Sequence, residues 1–548
     1  MKKLCILIVF TSFMGYLSAQ EEMKSVWQTE ITHKSDFATG YSQQRGFCYA
    51  ATEKEISVIN NEDGKVKWTN KFKAITEKLR KVDEIIPMWD SKTIFLFERK
   101  MGKDQMACID AETGSLLWGS DKYQNVSEDN VVYIPEMEAF AVSLKASLVM
   151  IKVKTGEEIW QTSKFSGVVG ATIYSEGFLY MLNFKPNALA SLFTGFKNQL
   201  VKIDIKNGDI IWDATYIGLV EKKVVSREPV VKLSLESGKI FLTLNGLQVF
   251  DANTGTQLWS CAYDINLTEE VRKPAGATKF GVYEAIADPV IVGNDVYIID
   301  MQSKKKQYIK KYDLNSGKLL WTSPELENVK VAPNLYLVGD KLILQVGGVV
   351  ETQADITKQE RQPDGSTRTI YITRIDFPTI KPCRLMGFSA VDGKQLWDSE
   401  RFKKGITNAI IMNEKVIACS GKAIYNMNLE DGKENYEIDL GTDNIGLATK
   451  ILTYKDNVVI VGEKGVSEHN PKDGKSLVSS KWSKSMLESV KGQYLLMKTD
   501  RSDIACFDLE TCKFKSYDAR KGAESYLSDD GTYVIIFEKK EVSKLSTK

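Results

Sequence analysis

Only two histidines occur in the 548 residues, His33 and His469. Imidazoles this scarce and this far apart supply neither a histidine-ligated metal site nor a histidine-dependent triad, so each is expected in a surface or capping role. The sequence has no Cys-Cys and no Cys-x-x-Cys, which removes the spacing that zinc sites and dithiol redox centres need. It has no glycine-rich phosphate loop ending in Gly-Lys-Ser/Thr and no G-x-S-x-G elbow. Neither sign of charge is in excess, with 73 Lys and Arg against 72 Asp and Glu. A nucleic-acid partner, which normally demands a basic face, is therefore not expected. Beyond the first residues no apolar run is long enough to span a bilayer, so the chain is not expected to be membrane-spanning.

Residues 1–19 read as a secretory signal: Lys2 and Lys3, an apolar run over 4–13, then small and polar residues to Ala19. Cleavage near Ala19 would release a chain over 20–548, periplasmic or secreted. Cys5 lies inside the apolar run and does not mark a lipid-attachment point. The remaining cysteines, Cys48, Cys108, Cys261, Cys383, Cys419, Cys506 and Cys512, mostly sit in apolar strand contexts and read as buried small hydrophobes. Cys506 and Cys512 bracket one turn and are close enough in sequence to pair, but connectivity is not fixed by spacing.

What the chain has in abundance is one repeated unit. In IKKYDLNSGKLLWTS, 309–323, an alternating strand ends at Asp313, turns on Ser316-Gly317 and resumes as a strand carrying Trp321. The same arrangement places Trp68, Trp118, Trp160, Trp212, Trp259 and Trp397 four residues past a turn glycine, so seven of the ten tryptophans share one offset. Glycine is required because the turn needs positive φ. Asn60, Asp110, Asp204, Asp251 and Asp313, four residues before their glycines, are placed to accept hydrogen bonds from turn N–H groups. That fixed offset makes them turn clasps rather than metal ligands. Each indole can bury a large area against a neighbouring sheet while its N–H finds a carbonyl.

The turn glycines recur about every 40 to 50 residues, the period of a four-stranded propeller blade. Later copies erode: Tyr436 and Val478 stand at the tryptophan position, and Cys512 replaces a turn glycine. Near the N-terminus, 25–31 holds Trp27 and an outgoing strand with no turn before it, and the C-terminus has two strands with no outgoing strand after them. These complementary deficits predict an all-β propeller of eight or more blades, about ten by the repeats, whose N-terminal strand closes the ring. One ring and two tandem rings are both compatible with the count.

The D-x-x-x-G-x-x-x-W segments resemble those of the PQQ-like, or quinoprotein-type, β-propellers over nearly the whole mature chain. One branch of that family holds pyrroloquinoline quinone and calcium, often against a vicinal disulfide, and the absent Cys-Cys argues against it here. The functional resemblance is instead to the propeller subunit of the machinery that assembles β-barrels in the outer membrane, from which this sequence departs in its length and its lack of a lipid-attachment cysteine. The resemblance implies a non-catalytic scaffold in the cell envelope with no cofactor and a protein partner. The alternatives are a PQQ- and calcium-dependent dehydrogenase or a carbohydrate- or cell-wall-binding propeller.

Insertions over 99–105, 184–198, 302–307 and 347–382 all fall between the second and third strands of a repeat and so should emerge on one face, where binding loops normally sit. Leu189, Leu192, Phe193 and Phe196 give one of them more apolar surface than a solvated loop needs. The longest reads as a projecting hairpin with Arg361, Arg368 and Arg374 on its arms. These seven residues are the candidate partner-binding set, and the basic run 304–311 is expected to be a solvated hairpin. Oligomeric state is not readable from the sequence.

Overall fold

The computed structural model describes residues 21–548 other than 100–103, 124–125, 127–130, 145–146, 164–167, 185–198, 217–231, 244–245, 263–270, 304–305 and 362–366. Residues 1–19, read from sequence as a secretory signal, and the candidate residues Leu189, Leu192, Phe193 and Phe196 therefore lie outside the described residues.

The chain is a β-propeller. Among the described residues eleven sheets share one antiparallel up-and-down plan and follow one another along the chain: 38–71, 84–120, 131–162, 168–215, 232–262, 290–322, 334–398, 409–439, 448–481, 486–517 and 524–546. We number them 1 to 11. Sheets 1 to 9 supply four strands each from their own span. Sheet 10 adds a fifth, two-residue strand, Glu21–Glu22, parallel to its outer edge. Sheet 11 has three strands of its own and takes its fourth from the N-terminus, where Lys24–Glu30 pairs antiparallel with Glu541–Ser546. Met23, between the two N-terminal strands, is buried at 3% exposure in the apolar cluster joining sheets 10 and 11.

Burial follows from this stacking. A second strand such as Phe47–Ala51 is buried at every position, because sheets cover it on both faces. A fourth strand such as Val66–Lys71 alternates between exposed and half-buried, as expected of an outer edge. First strands of neighbouring sheets approach within 8 Å between Cα atoms at several junctions and form the inner wall. Eleven apolar clusters occupy the junctions: Ile94 with Ala107 and Val58 join sheets 1 and 2, Phe95 with Phe140 joins 2 and 3, and so on around. The last, with Cys48, Ile59, Phe537 and Val542, joins sheet 11 back to sheet 1. Tyr526 reinforces it through hydrogen bonds to Thr39, as does Tyr41 by donating to Tyr533. The junctions therefore make one closed circuit.

Up-and-down connectivity puts the first-to-second and third-to-fourth turns on one face, called here the hairpin face. Connections between second and third strands leave from the other, the insertion face.

Candidate binding surfaces

The seven repeat tryptophans sit at the junctions, where the sequence places them. The indole N–H of Trp68, Trp118, Trp160, Trp212, Trp321 and Trp397 donates to the backbone carbonyl of Ala111, Val153, Ile205, Ala252, Ala390 and Leu429 respectively, each on the next sheet. Trp27 does the same to Asn61 across the closure. Every acceptor lies three residues before a turn glycine. The glycine has a second duty beyond the turn. A Cβ on Gly114, Gly156, Gly208, Gly255 or Gly393 would come within 2.6 Å of the preceding sheet's indole.

The clasps behave as the spacing predicts: Asp110 Oδ1 accepts from the N–H groups of Glu112 and Thr113, and Asp251 Oδ1 from Asn253 and Thr254. A hydrogen bond from Lys239 holds the Asp251 carboxyl below its ordinary pKa, and one from the Ser316 hydroxyl does so for Asp313.

Trp259 departs from the pattern. Its ring stacks on Tyr312 with centroids 4.6 Å apart, and its buried N–H has no acceptor. Leu258, not the indole, packs against Gly317. In the eroded copies Tyr436 donates its hydroxyl to the Pro471 carbonyl, while Ser480 donates to that of Cys512. Cys512 adopts φ 56° in place of glycine.

Two expectations need correction. His33 and His469 are buried, not at the surface, at 4% and 0% exposure. Each bridges a hydroxyl and a carbonyl: His33 sits 2.8 Å from both Ser57 Oγ and the Lys34 oxygen, and His469 sits 2.8 Å from Ser467 Oγ and 2.9 Å from the Gly474 oxygen. Both are fixed by internal bonds, and His469 Nε2 also lies 3.5 Å from the Asp443 carboxylate. The basic run, too, is only partly solvated: Lys310 pairs with the buried Asp300 at 2.5 Å, and Lys311 pairs with Asp295 at 2.8 Å while lying over the Tyr297 ring. Alternate faces of one strand carry these lysines to partners on the adjacent strand.

All seven described cysteines are free, and burial pushes the Cys506 thiol up to about 12, far from a reactive thiolate. Among the described residues no three His, Cys, Asp or Glu side chains group in a way that could hold a metal ion, and no helix is long and apolar enough to cross a membrane.

On the insertion face the long excursion from sheet 7 forms two strands, Glu351–Arg361 and Thr367–Asp376, that pair with each other and, through the first, with Ala277–Tyr283. The sequence gives no hint of this third strand as a partner. A small core of Val271, Phe280, Val331, Val350, Ala354 and Ile380 anchors the resulting three-stranded sheet to the ring. Val349, Ile375 and Phe377 remain exposed at its foot, at 44%, 49% and 47%. In register, Arg361 stands opposite Thr367, Arg368 opposite Glu360 and Arg374 opposite Ala354, and Arg374 is ion-paired to Asp376 of its own strand at 2.7 Å.

On the hairpin face a cavity of about 540 Å³ opens where sheets 10, 11, 1 and 2 meet. Its walls are first strands and first turns: Tyr41, Gln43 and Gln44 from sheet 1, Trp89 and Asp90 from sheet 2, Glu488 and Lys491 from sheet 10, Tyr526 and Asp529 from sheet 11. None of these was a candidate from sequence, because they come from both ends of the chain.

A family model described as outer membrane protein assembly factor BamB matches residues 18–172 and 305–515, well over half the chain. The chain belongs to that family of PQQ-like propeller repeats. No curated protein matches it. Among solved structures, BamB from Moraxella catarrhalis is similar at 13% identity, covering 69% of this chain and 92% of that one with a TM-score of 0.28. The computationally designed Ika8 protein is similar at 14% identity, covering 69% and 96% with a TM-score of 0.34.

Proposed function

We propose that the chain is an exported, non-catalytic scaffold that binds a protein partner in the cell envelope through its insertion face. The observation that carries this reading is the extra three-stranded sheet. Its core anchors it to the ring, yet both outer strands have open edges, and Val349, Ile375 and Phe377 stay exposed around its foot. Such an anchored platform with a solvent-facing apolar rim suits a protein surface better than a small substrate. Membership in a family described as an assembly factor supports the reading, as does the engagement of the repeated aspartates in their own turns.

The test is a pull-down from native envelope with the full mature chain and with an Ile375→Lys, Phe377→Lys variant. A specific protein should be captured by the first and lost with the second at unchanged thermal stability. Equal capture by both contradicts the face assignment. Titration with pyrroloquinoline quinone and calcium should give no saturable absorbance change; a stoichiometric response would establish the dehydrogenase reading instead. Export is checked separately by sequencing the N-terminus of the mature chain, expected near Gln20.

A further inference from the structure

The cavity on the hairpin face lies across the ring from the insertion sheet and is independent of the protein-docking reading. Its volume of about 540 Å³ falls within the ~300–1,000 Å³ typical of small-molecule sites. Three aromatic rings stand in its wall. Tyr41 and Tyr526 lie 6.3 Å apart at 37°, their hydroxyls tied to Tyr533 and Thr39, so that what the two residues offer is ring surface. Trp89 packs against Phe47 and Tyr49 yet remains half-buried.

The polar groups divide into two sets. Asp90 is paired with Arg45 at 3.2 Å, and Asp529 is paired with Lys491 at 3.5 Å while its N–H donates to Gln43. Gln44, Glu488, the Trp89 indole N–H and the buried hydroxyls of Ser489 and Ser525 have no partner among the described residues. One amide, one carboxylate, one N–H and two hydroxyls are thus left uncommitted beside apolar ring faces.

That pairing of chemistries selects a class of ligand. An apolar molecule would strand the carboxylates and amides, each costing about 1–3 kcal/mol if desolvated without a partner. A phosphate would meet three carboxylates and one lysine. A pyranose presents an apolar C–H face and a rim of hydroxyls that both donate and accept, matching ring surfaces flanked by carboxylate, amide and N–H. We propose that this cavity is a saccharide-binding site for a neutral oligosaccharide, with Tyr41, Trp89 and Tyr526 as stacking surfaces and Gln44, Glu488 and the Trp89 N–H as the hydroxyl-reading groups.

The experiment is calorimetric titration of the full mature chain with N-acetylglucosamine trimer, with maltotriose and with inorganic phosphate. At least one trisaccharide should bind saturably at millimolar concentration or below, and phosphate should not. The exposed-site variant Gln44→Ala, Glu488→Ala should weaken that binding about tenfold or more, equivalent to about 1.4 kcal/mol. Trp89→Phe, which keeps the ring packing and loses the N–H, should weaken it as well. The Ile375→Lys, Phe377→Lys variant should bind the sugar unchanged, which separates this site from the docking face. Absence of saturable binding by either trisaccharide, tighter binding of phosphate, or affinities indifferent to Gln44 and Glu488 would each overturn the assignment.

Discussion

At seven of the eleven junctions a single indole does three jobs: it fills space between sheets, donates to a carbonyl on the next sheet, and packs against the glycine that forms the next turn. Trp118 illustrates all three, being 8% exposed, bonded to the Val153 oxygen at 2.8 Å and packed on Gly156. Trp118→Ala should lower stability by about 3–5 kcal/mol, from lost transfer energy plus the cavity. The hydrogen bond can be isolated by comparing Trp118→Phe with Trp259→Phe, since only the first strands a carbonyl and the second removes a buried N–H that has no acceptor. Denaturation midpoints should fall clearly more for Trp118→Phe. Gly156→Ala and Gly177→Ala form a second pair. Both glycines have positive φ, 68° and 81°, but only at Gly156 would the new Cβ strike an indole. Both should pay the left-handed backbone cost of about 1–2 kcal/mol, and Gly156→Ala should lose substantially more in the same melt. Acid stability belongs at this scale too. A hydrogen bond from Lys394 lowers the exposed Asp392 carboxyl to about 2, and Asp251 and Asp313 are likewise held below the ordinary value. Folded values below the unfolded ~3.9 mean that this contribution is fully present above about pH 4 and is lost as pH falls toward 2. Melting temperature measured against pH should therefore hold through neutrality and drop below about pH 4.

At the scale of elements, the inserted sheet and the ring should part company under stress. Val350, Ile380 and Phe280 tie the sheet down, while its outer strands have open edges. Hydrogen exchange should find the strand Thr367–Asp376 labile while the second strands of the ring, buried at every position, stay protected. Equal protection in both would make the inserted sheet part of the ring's core. This is also the scale at which the sequence is most and least informative. The junction tryptophans are legible because a fixed offset from a turn glycine is a local pattern. The partnership of Ala277–Tyr283 with the hairpin is not, because two segments some seventy positions apart announce nothing to each other in composition. The two buried histidines escape for a related reason, since an isolated imidazole carries no periodicity from which its burial could be inferred. Lys310 and Lys311 look like part of a solvated charge run until Asp300 and Asp295 are seen across the hairpin.

At the scale of the molecule, the deficits at the two termini already point to closure, and Lys24–Glu30 completing sheet 11 realises it. The cavity is the converse case: residues 41–44 and 89–90 meet residues 488–496 and 525–529 only once the ring is shut, so no reading of either end alone suggests them. The central claim is the closed circuit of eleven sheets with indoles wedged at its joints. A cryo-electron microscopy map of residues 20–548, viewed down the axis, tests it most directly. The account predicts one annulus of eleven sheets with the N-terminal strand inside sheet 11 and the tryptophans between neighbours; two separate rings, an open arc, or indoles turned into a cavity around a bound quinone would contradict it.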